Sequence, residues 1–202
     1  MHNSTYIFQP YLIKESAHGY TPITLETELL NNQRKIFLTE EINTQSAISV
    51  IKQLMVLDSS DDPSPIKLYI SSPGGSVSDG LAIYDTMQSM EKKIDVYCVG
   101  AVMSMAAVLY CAASGKRYIY SNAKLMIHDP LINETGGNAL QLKSISDRLL
   151  EYRETIGKLL ARSTGKSLEE IYELTAKDTY INAEDCVKNH FADEIINSEV
   201  NI

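Results

Sequence analysis

Nowhere in the 202-residue chain does an apolar run approach the length needed to cross a bilayer. The first residues, MHNSTYIFQPYLIK, hold no basic segment followed by an apolar stretch and a small-residue cleavage site, so no export is expected. Lysine and arginine are not clustered, and the net charge is −8. A nucleic-acid partner is therefore disfavoured, because such binding rests on neutralising phosphates. Only three cysteines occur, Cys98, Cys111 and Cys186, widely spaced and in no Cys-x-x-Cys or Cys/His grouping. No metal or cofactor is implied, and a reducing cytoplasm fits best. No internal repeat is evident.

What remains is the composition of one soluble globular domain, 44% apolar and long enough for a substantial core. Residues 1–33 read as a less regular N-terminal arm with polar turns around His18-Gly-Tyr-Thr-Pro22. From there short apolar strands alternate with amphipathic helices. Strands are expected at 35–38, 66–70 and 94–99 and around Tyr118 and Leu125; helices are expected at 78–90 and 104–113. A helix capped by Asn43 or Thr44 presents Ile48, Ile51, Leu54 and Met55 at helical spacing, a stripe expected to be core. A long helix follows Gly136-Gly137 with Leu142, Ile145, Leu149, Tyr152, Ile156 and Leu159 on one stripe, which suits helix–helix packing. Ser167 and Glu170 form a capping box, and Asn182 caps a last helix over 183–190. Strands alternating with helices argue for an α/β fold of βα units.

Chemistry concentrates in residues 100–131. The strand at 94–99 runs through Gly100 into Met103-Ser104-Met105, where small and unbranched residues open a helix. Ser104 is thereby set among free backbone N–H groups that favour developing negative charge. The apolar run Leu125-Met-Ile-His128 ends in an imidazole. A serine alone at such a junction is most often a helix cap, and a lone histidine most often a satisfied interior side chain. Upstream, Ser71-Ser-Pro-Gly-Gly75 lies between a strand and a helix, and a Gly-Gly pair there can turn bare N–H groups toward a reacting oxygen. Ser–His chemistry needs an acid to orient the imidazole. Asp129, Asp178, Asp185 and Asp193 all remain open on spacing alone. Asp129, adjacent to His128 in a strand, should point the other way, and Asp185 reads as a helix N-terminal charge.

SSPGG, IYDTMQ, the Gly-x-x-x-Ser-Met turn, GKR followed by MIH-x-PL, and the closing Lys-Asp-x-x-Ile-x-Ala-Glu-Asp block resemble the proteolytic subunits of the Clp protease, the ClpP family. The resemblance spans residues 11–196. It implies an α/β, crotonase-like spiral of βα units with a protruding handle: an N-terminal arm or axial loop at 1–33, then one domain at 34–202, with its head at 34–131 and 164–202 and its handle at 132–163. It implies a serine endopeptidase in which Ser104 attacks, His128 carries the proton and Asp178 is the acid. Gly75 and Met105 supply oxyanion N–H groups, and Gly74, Ser76, Val77 and Leu131 hold an extended polypeptide. No cofactor is implied. The partners it implies are an AAA+ unfoldase of the ClpX, ClpA or ClpC type and further copies in stacked heptamers, homomeric or mixed with a second ClpP-type chain.

The chain departs from the family's pattern at several places. Pro130-Leu131 is followed by Ile132-Asn133 rather than by glycines, and Asp129 stands where glutamine is usual. Ala176-Lys177 replaces an Asp-Arg pair that helps join rings. In the face that receives the unfoldase, Lys67 and Ser89 replace aromatic side chains, while Tyr69 remains. The expectation is a divergent paralogue whose ring locking and unfoldase docking are weak by itself. Three other readings are a catalytically weak structural or regulatory ring subunit, an acyl-CoA hydratase on the same spiral, and a capsid-maturation protease.

Overall fold

A computed structural model describes residues 11–16, 19–132 and 136–197. The segment before Tyr11, and Asn133, on which expectations above bear, lie outside the described residues. The arm proves more regular than expected. Strand β1 (Tyr11–Ser16) pairs antiparallel with β2 (Gly19–Thr24), and helix α1 (Leu25–Gln33) follows with Thr24 as its N-cap. The hairpin buries neither face, with Tyr11 64%, Ile13 73% and Tyr20 72% exposed, so no alternation of apolar and polar residues announces it.

The body is a seven-stranded, mostly parallel sheet. Its path runs β3 (Lys35–Leu38), β4 (Ile66–Ser72), β5 (Ile94–Met103), β6 (Arg117–Tyr120), β9 (Glu194–Ile196). Strand β5 serves two neighbours in turn. Residues 96–98 pair with β6, and residues 101–103 pair with β7 (Lys124–Ile127). Gly100, at φ +66°, sits between the two pairings and supplies the backbone turn. Strand β8 (Thr179–Asn182), not anticipated, runs antiparallel to β7.

Alternation along β4 sends Ile66, Leu68, Ile70 and Ser72 inward, and β5 adds Ile94, Val96 and Cys98. Helices α2 (Thr44–Asp58), α3 (Val77–Ser89) and α4 (Met105–Cys111) follow β3, β4 and β5 in the chain, and each sends side chains into the same core. Every residue of α4 is buried. The stripe assigned to the core on α2 is only partly right. Leu54 is buried, but Ile48 is 47% and Met55 59% exposed. The inward face is instead Ala47, Val50, Leu54 and Leu57, so a second apolar stripe on the same helix is left facing out. On the sheet's other face Phe37, Tyr69, Tyr97 and Tyr118 stack ring on ring across four adjacent strands, at centroid separations of 5.2, 4.4 and 4.8 Å.

The 26-residue helix α5 (Ala139–Thr164) buries Ile156, Gly157 and Leu160 in its second half. Leu140, Leu142 and Leu150 on its first half are 79%, 48% and 60% exposed. Helices α6 (Leu168–Thr175) and α7 (Ala183–Lys188) complete the chain. No helix among the described residues is long and apolar enough to cross a membrane.

The GKR motif has a structural reason. Arg117 donates to both oxygens of Asp193 and to the carbonyls of Ser163 and His190, tying β6 to the end of α5 and to the closing strand. Burial pushes the Asp193 carboxyl up, but the Arg117 hydrogen bonds outweigh it and hold the group below its ordinary value. A depressed carboxyl stabilises the fold above its unfolded value near pH ~4 and loses that contribution as pH falls through the folded value. Arg117→Ala strands two carbonyls and a half-buried carboxylate, and should cost about 2–4 kcal/mol in denaturant unfolding at pH 7. The gap to wild type should shrink below pH ~4. A variant as stable as wild type at pH 7 would contradict this.

Candidate active site

Strand β5 ends at Met103 and α4 begins at Met105, leaving Ser104 as the single residue between them. Its backbone is held at φ 55°, ψ −128°, a conformation rare for a side chain with Cβ and costing about 1–3 kcal/mol. The strain is held in place because Ser104 N–H donates to Met126 C=O at 2.9 Å, pinning the turn to β7. Ser104 occupies the N-cap position, yet its hydroxyl makes no capping hydrogen bond. The side chain that usually satisfies a helix end is here left free.

His128 follows β7 directly. The antiparallel register pairs Ile127 with Thr179, so the next opposed residues are His128 and Asp178. Their closest approach is 4.0 Å between Nδ1 and Oδ1, with the imidazole 13% and the carboxylate 64% exposed. That is beyond hydrogen-bond length; such contacts are often long without substrate. The other three acids are engaged elsewhere. Asp129 is bonded by Arg153 and Thr175, Asp193 by Arg117, and Asp185 lies in the first turn of α7.

The Gly-Gly loop is fixed from both sides. Ser72 Oγ donates to Glu40 C=O at 2.6 Å and accepts from Gly74 N–H. Ile42 N–H donates to Gly74 C=O at 2.7 Å, and Ser76 N–H to Ile42 C=O at 2.8 Å. This isolated parallel bridge leaves Gly75 with its N–H turned the other way, without an acceptor among the described residues. Met105, the first residue of α4, has an N–H with no partner inside the helix. Gly74 and Gly75 sit at φ +90° and +144°, and a Cβ on Gly74 would stand 2.7 Å from the Ser104 Cβ. Only glycine allows that approach. Ser76 Oγ caps α3 through Asp79 N–H, so of the residues expected to pair with substrate Gly74 C=O and Ser76 N–H are already occupied.

Ser104 and His128 share the wall of an open groove of about 460 Å³, whose other sides include Gly75, Val77, Leu131, Leu149 and Tyr152. A small apolar cavity of about 20 Å³ opens beside them, lined by Val77, Met105, Val108, Ile127, Ile156 and Leu160. Leu131 forms an exposed lip. Burial raises the thiols of Cys98, Cys111 and Cys186 well above their ordinary value, so none offers a thiolate. Away from the groove, Tyr69 lies within the aromatic row, Lys67 lies opposite Lys35 and Asp95 in register, and Ser89 Oγ donates to Thr86 C=O. Reading the sequence missed Ile42, which shapes the Gly-Gly loop, and Arg153, which reaches Asp129; neither has a local motif.

The fold is an α/β one in which a strained serine between strand and helix shares a groove with an imidazole, and no hydrogen bond joins Ser104 to His128 among the described residues. The chain belongs to the Clp protease family, whose model matches residues 21–199. An ATP-dependent Clp protease proteolytic subunit from Dehalococcoides mccartyi is 38% identical over 193 residues, 95% of this chain and 96% of that one. The protein is thus a serine peptidase, and the acyl-CoA hydratase and capsid-maturation readings fall away.

Proposed function

We propose that Ser104 is the nucleophile, His128 the general base and then acid, and Asp178 the group that orients the imidazole. The observation that carries this is the strained Ser104 turn, whose hydroxyl caps nothing and shares a groove with His128. Attack on a peptide carbonyl forms a C–O bond at Ser104 Oγ while His128 takes the hydroxyl proton. The oxyanion is met by Gly75 and Met105 N–H groups. Collapse breaks the C–N bond, the leaving amine takes the proton from His128, and water repeats the sequence to release Ser104. Gly75, Val77 and Leu131 hold the substrate extended; the apolar cavity beside them, about 20 Å³, has room for little more than a methyl group.

The substrates are unfolded polypeptides and short peptides, delivered by an ATP-dependent unfoldase into a chamber built from stacked heptamers in the cytoplasm. The uncovered Leu140, Leu142 and Leu150 on α5 favour an assembly in which a handle at 132–163 packs on another copy. Lys177 cannot replace a bidentate guanidinium there. Lys67 and Ser89 leave the docking face with Tyr69 and its stacked neighbours alone. The subunit therefore works best beside a second ClpP-type chain. A fluorophosphonate probe tests the chemistry: wild type should label at Ser104 and Ser104→Ala should not. Equal labelling of both would end the assignment, and an unlabelled wild type would favour a structural ring subunit. Sedimentation of the chain alone should show less than full stacked rings.

A further inference from the structure

The contact between His128 and Asp178 is long, and its carboxylate end is mostly in water, so it holds the two side chains together only weakly. The β7–β8 pairing sets the register but ends at Ile127 and Thr179, one residue short of both side chains. One residue along from His128, the Asp129 N–H donates to Thr175 C=O at 2.7 Å. The Asp129 carboxylate accepts from Thr175 Oγ1 at 2.6 Å and from Arg153 Nε at 2.7 Å. The Arg153 guanidinium in turn lies over the Tyr172 ring, 3.7 Å from its centre. Asp129 and Arg153 are each only about a third exposed.

These contacts join three parts of the site. Asp129 lies between His128 and the groove lip of Pro130 and Leu131. Thr175 ends α6, three residues before Asp178. Arg153 follows Leu149 and Tyr152, which line the groove from α5. We propose that Asp129, Thr175 and Arg153 form a positioning clamp that holds the base, the acid and the substrate wall in their reactive arrangement. None of the three touches the reacting atoms. The clamp makes the mutual placement of His128 and Asp178 depend on α5, not on their own weak attraction. The proposal rests on the assignment of Ser104, His128 and Asp178 above.

The test compares the second-order rate of fluorophosphonate labelling at Ser104, and kcat and KM for a short fluorogenic peptide, at a temperature well below each variant's unfolding midpoint. Asp129→Ala and Arg153→Gln should each lower the labelling rate and kcat by about tenfold or more, with KM within about twofold, because loss of alignment falls on the chemical step. The double variant should be no slower than the worse single one. Thr175→Ser, which keeps the hydroxyl that donates to Asp129, should keep most of the wild-type rate. Simple charge effects at His128 would instead move the Asp129 and Arg153 variants in opposite directions, and that result would overturn the clamp. So would wild-type rates, or losses confined to KM. Should Asp129→Ala fail to fold, Thr175→Val and Asp129→Asn remove single bonds at constant shape, and wild-type rates in both would also overturn it. An unlabelled wild type defeats the underlying assignment; a labelled wild type with equally fast variants defeats only the clamp.

Discussion

Ser104→Ala and His128→Ala should each reduce kcat for a short peptide by about 10⁴-fold or more, and the double variant should lose nothing further. In the proposed mechanism nucleophile and base act as one unit: without the hydroxyl there is no acyl-enzyme, and without the imidazole its proton has nowhere to go. The residual rate is what the amides and the groove supply alone. Asp178 is expected to differ. Its carboxylate is 64% exposed and 4.0 Å from the ring, so water already does part of its work. Asp178→Asn should therefore fall short of the other two losses by about tenfold or more, where a buried acid would cost nearly as much as the base. Steady-state kinetics of the three single variants and the Ser104/His128 double decide this. A His128→Ala variant that keeps more than about one hundredth of wild-type kcat would remove the imidazole from the mechanism.

Much of the candidate site was legible because its parts are local. Ser104 sits where a strand's apolar run meets small helix-forming residues, His128 closes another run, and Gly74-Gly75 interrupts a strand-to-helix junction; each signal spans a few residues. The proposed acid was not legible from spacing. Asp178 reaches His128 through the β7–β8 register, and β8 is a four-residue strand with no apolar alternation to give it away. The α2 stripe misled for a related reason. Ile48 and Met55 have helical spacing with Leu54, but periodicity cannot say which of two apolar faces of one helix meets the core and which is left exposed. The same holds for the aromatic row, whose members are far apart in sequence and meet only because four strands align in parallel register. The Asp129 clamp is the extreme case, since α5, α6 and β7 must all be in place before Arg153 and Thr175 have anything to bind.

Gly75→Ala should be the most damaging change that removes no functional group. At φ +144° a side chain is strained in any surroundings, and here its Cβ would also run into the Ile42 carbonyl and amide. Those atoms cannot yield separately, because Ile42 is bonded on one side to Gly74 and on the other to Ser76. Relief must come from shifting the loop, and the loop carries the Gly75 N–H. If that N–H is an oxyanion donor, as proposed, its loss costs about 10²–10³ in kcat, and the folded fraction should show a fall of that size with KM little changed. Unfolding should show about 2–4 kcal/mol of destabilisation, strain and clash together. Gly165→Ala is the matched control. It sits at φ +73°, ends α5 and has nothing within 4 Å of where the added methyl would stand, so it carries strain without collision. It should lose about 1 kcal/mol and keep wild-type kcat. If Gly75→Ala and Gly165→Ala proved equally active per folded molecule, the N–H at Gly75 would have no part in the reaction.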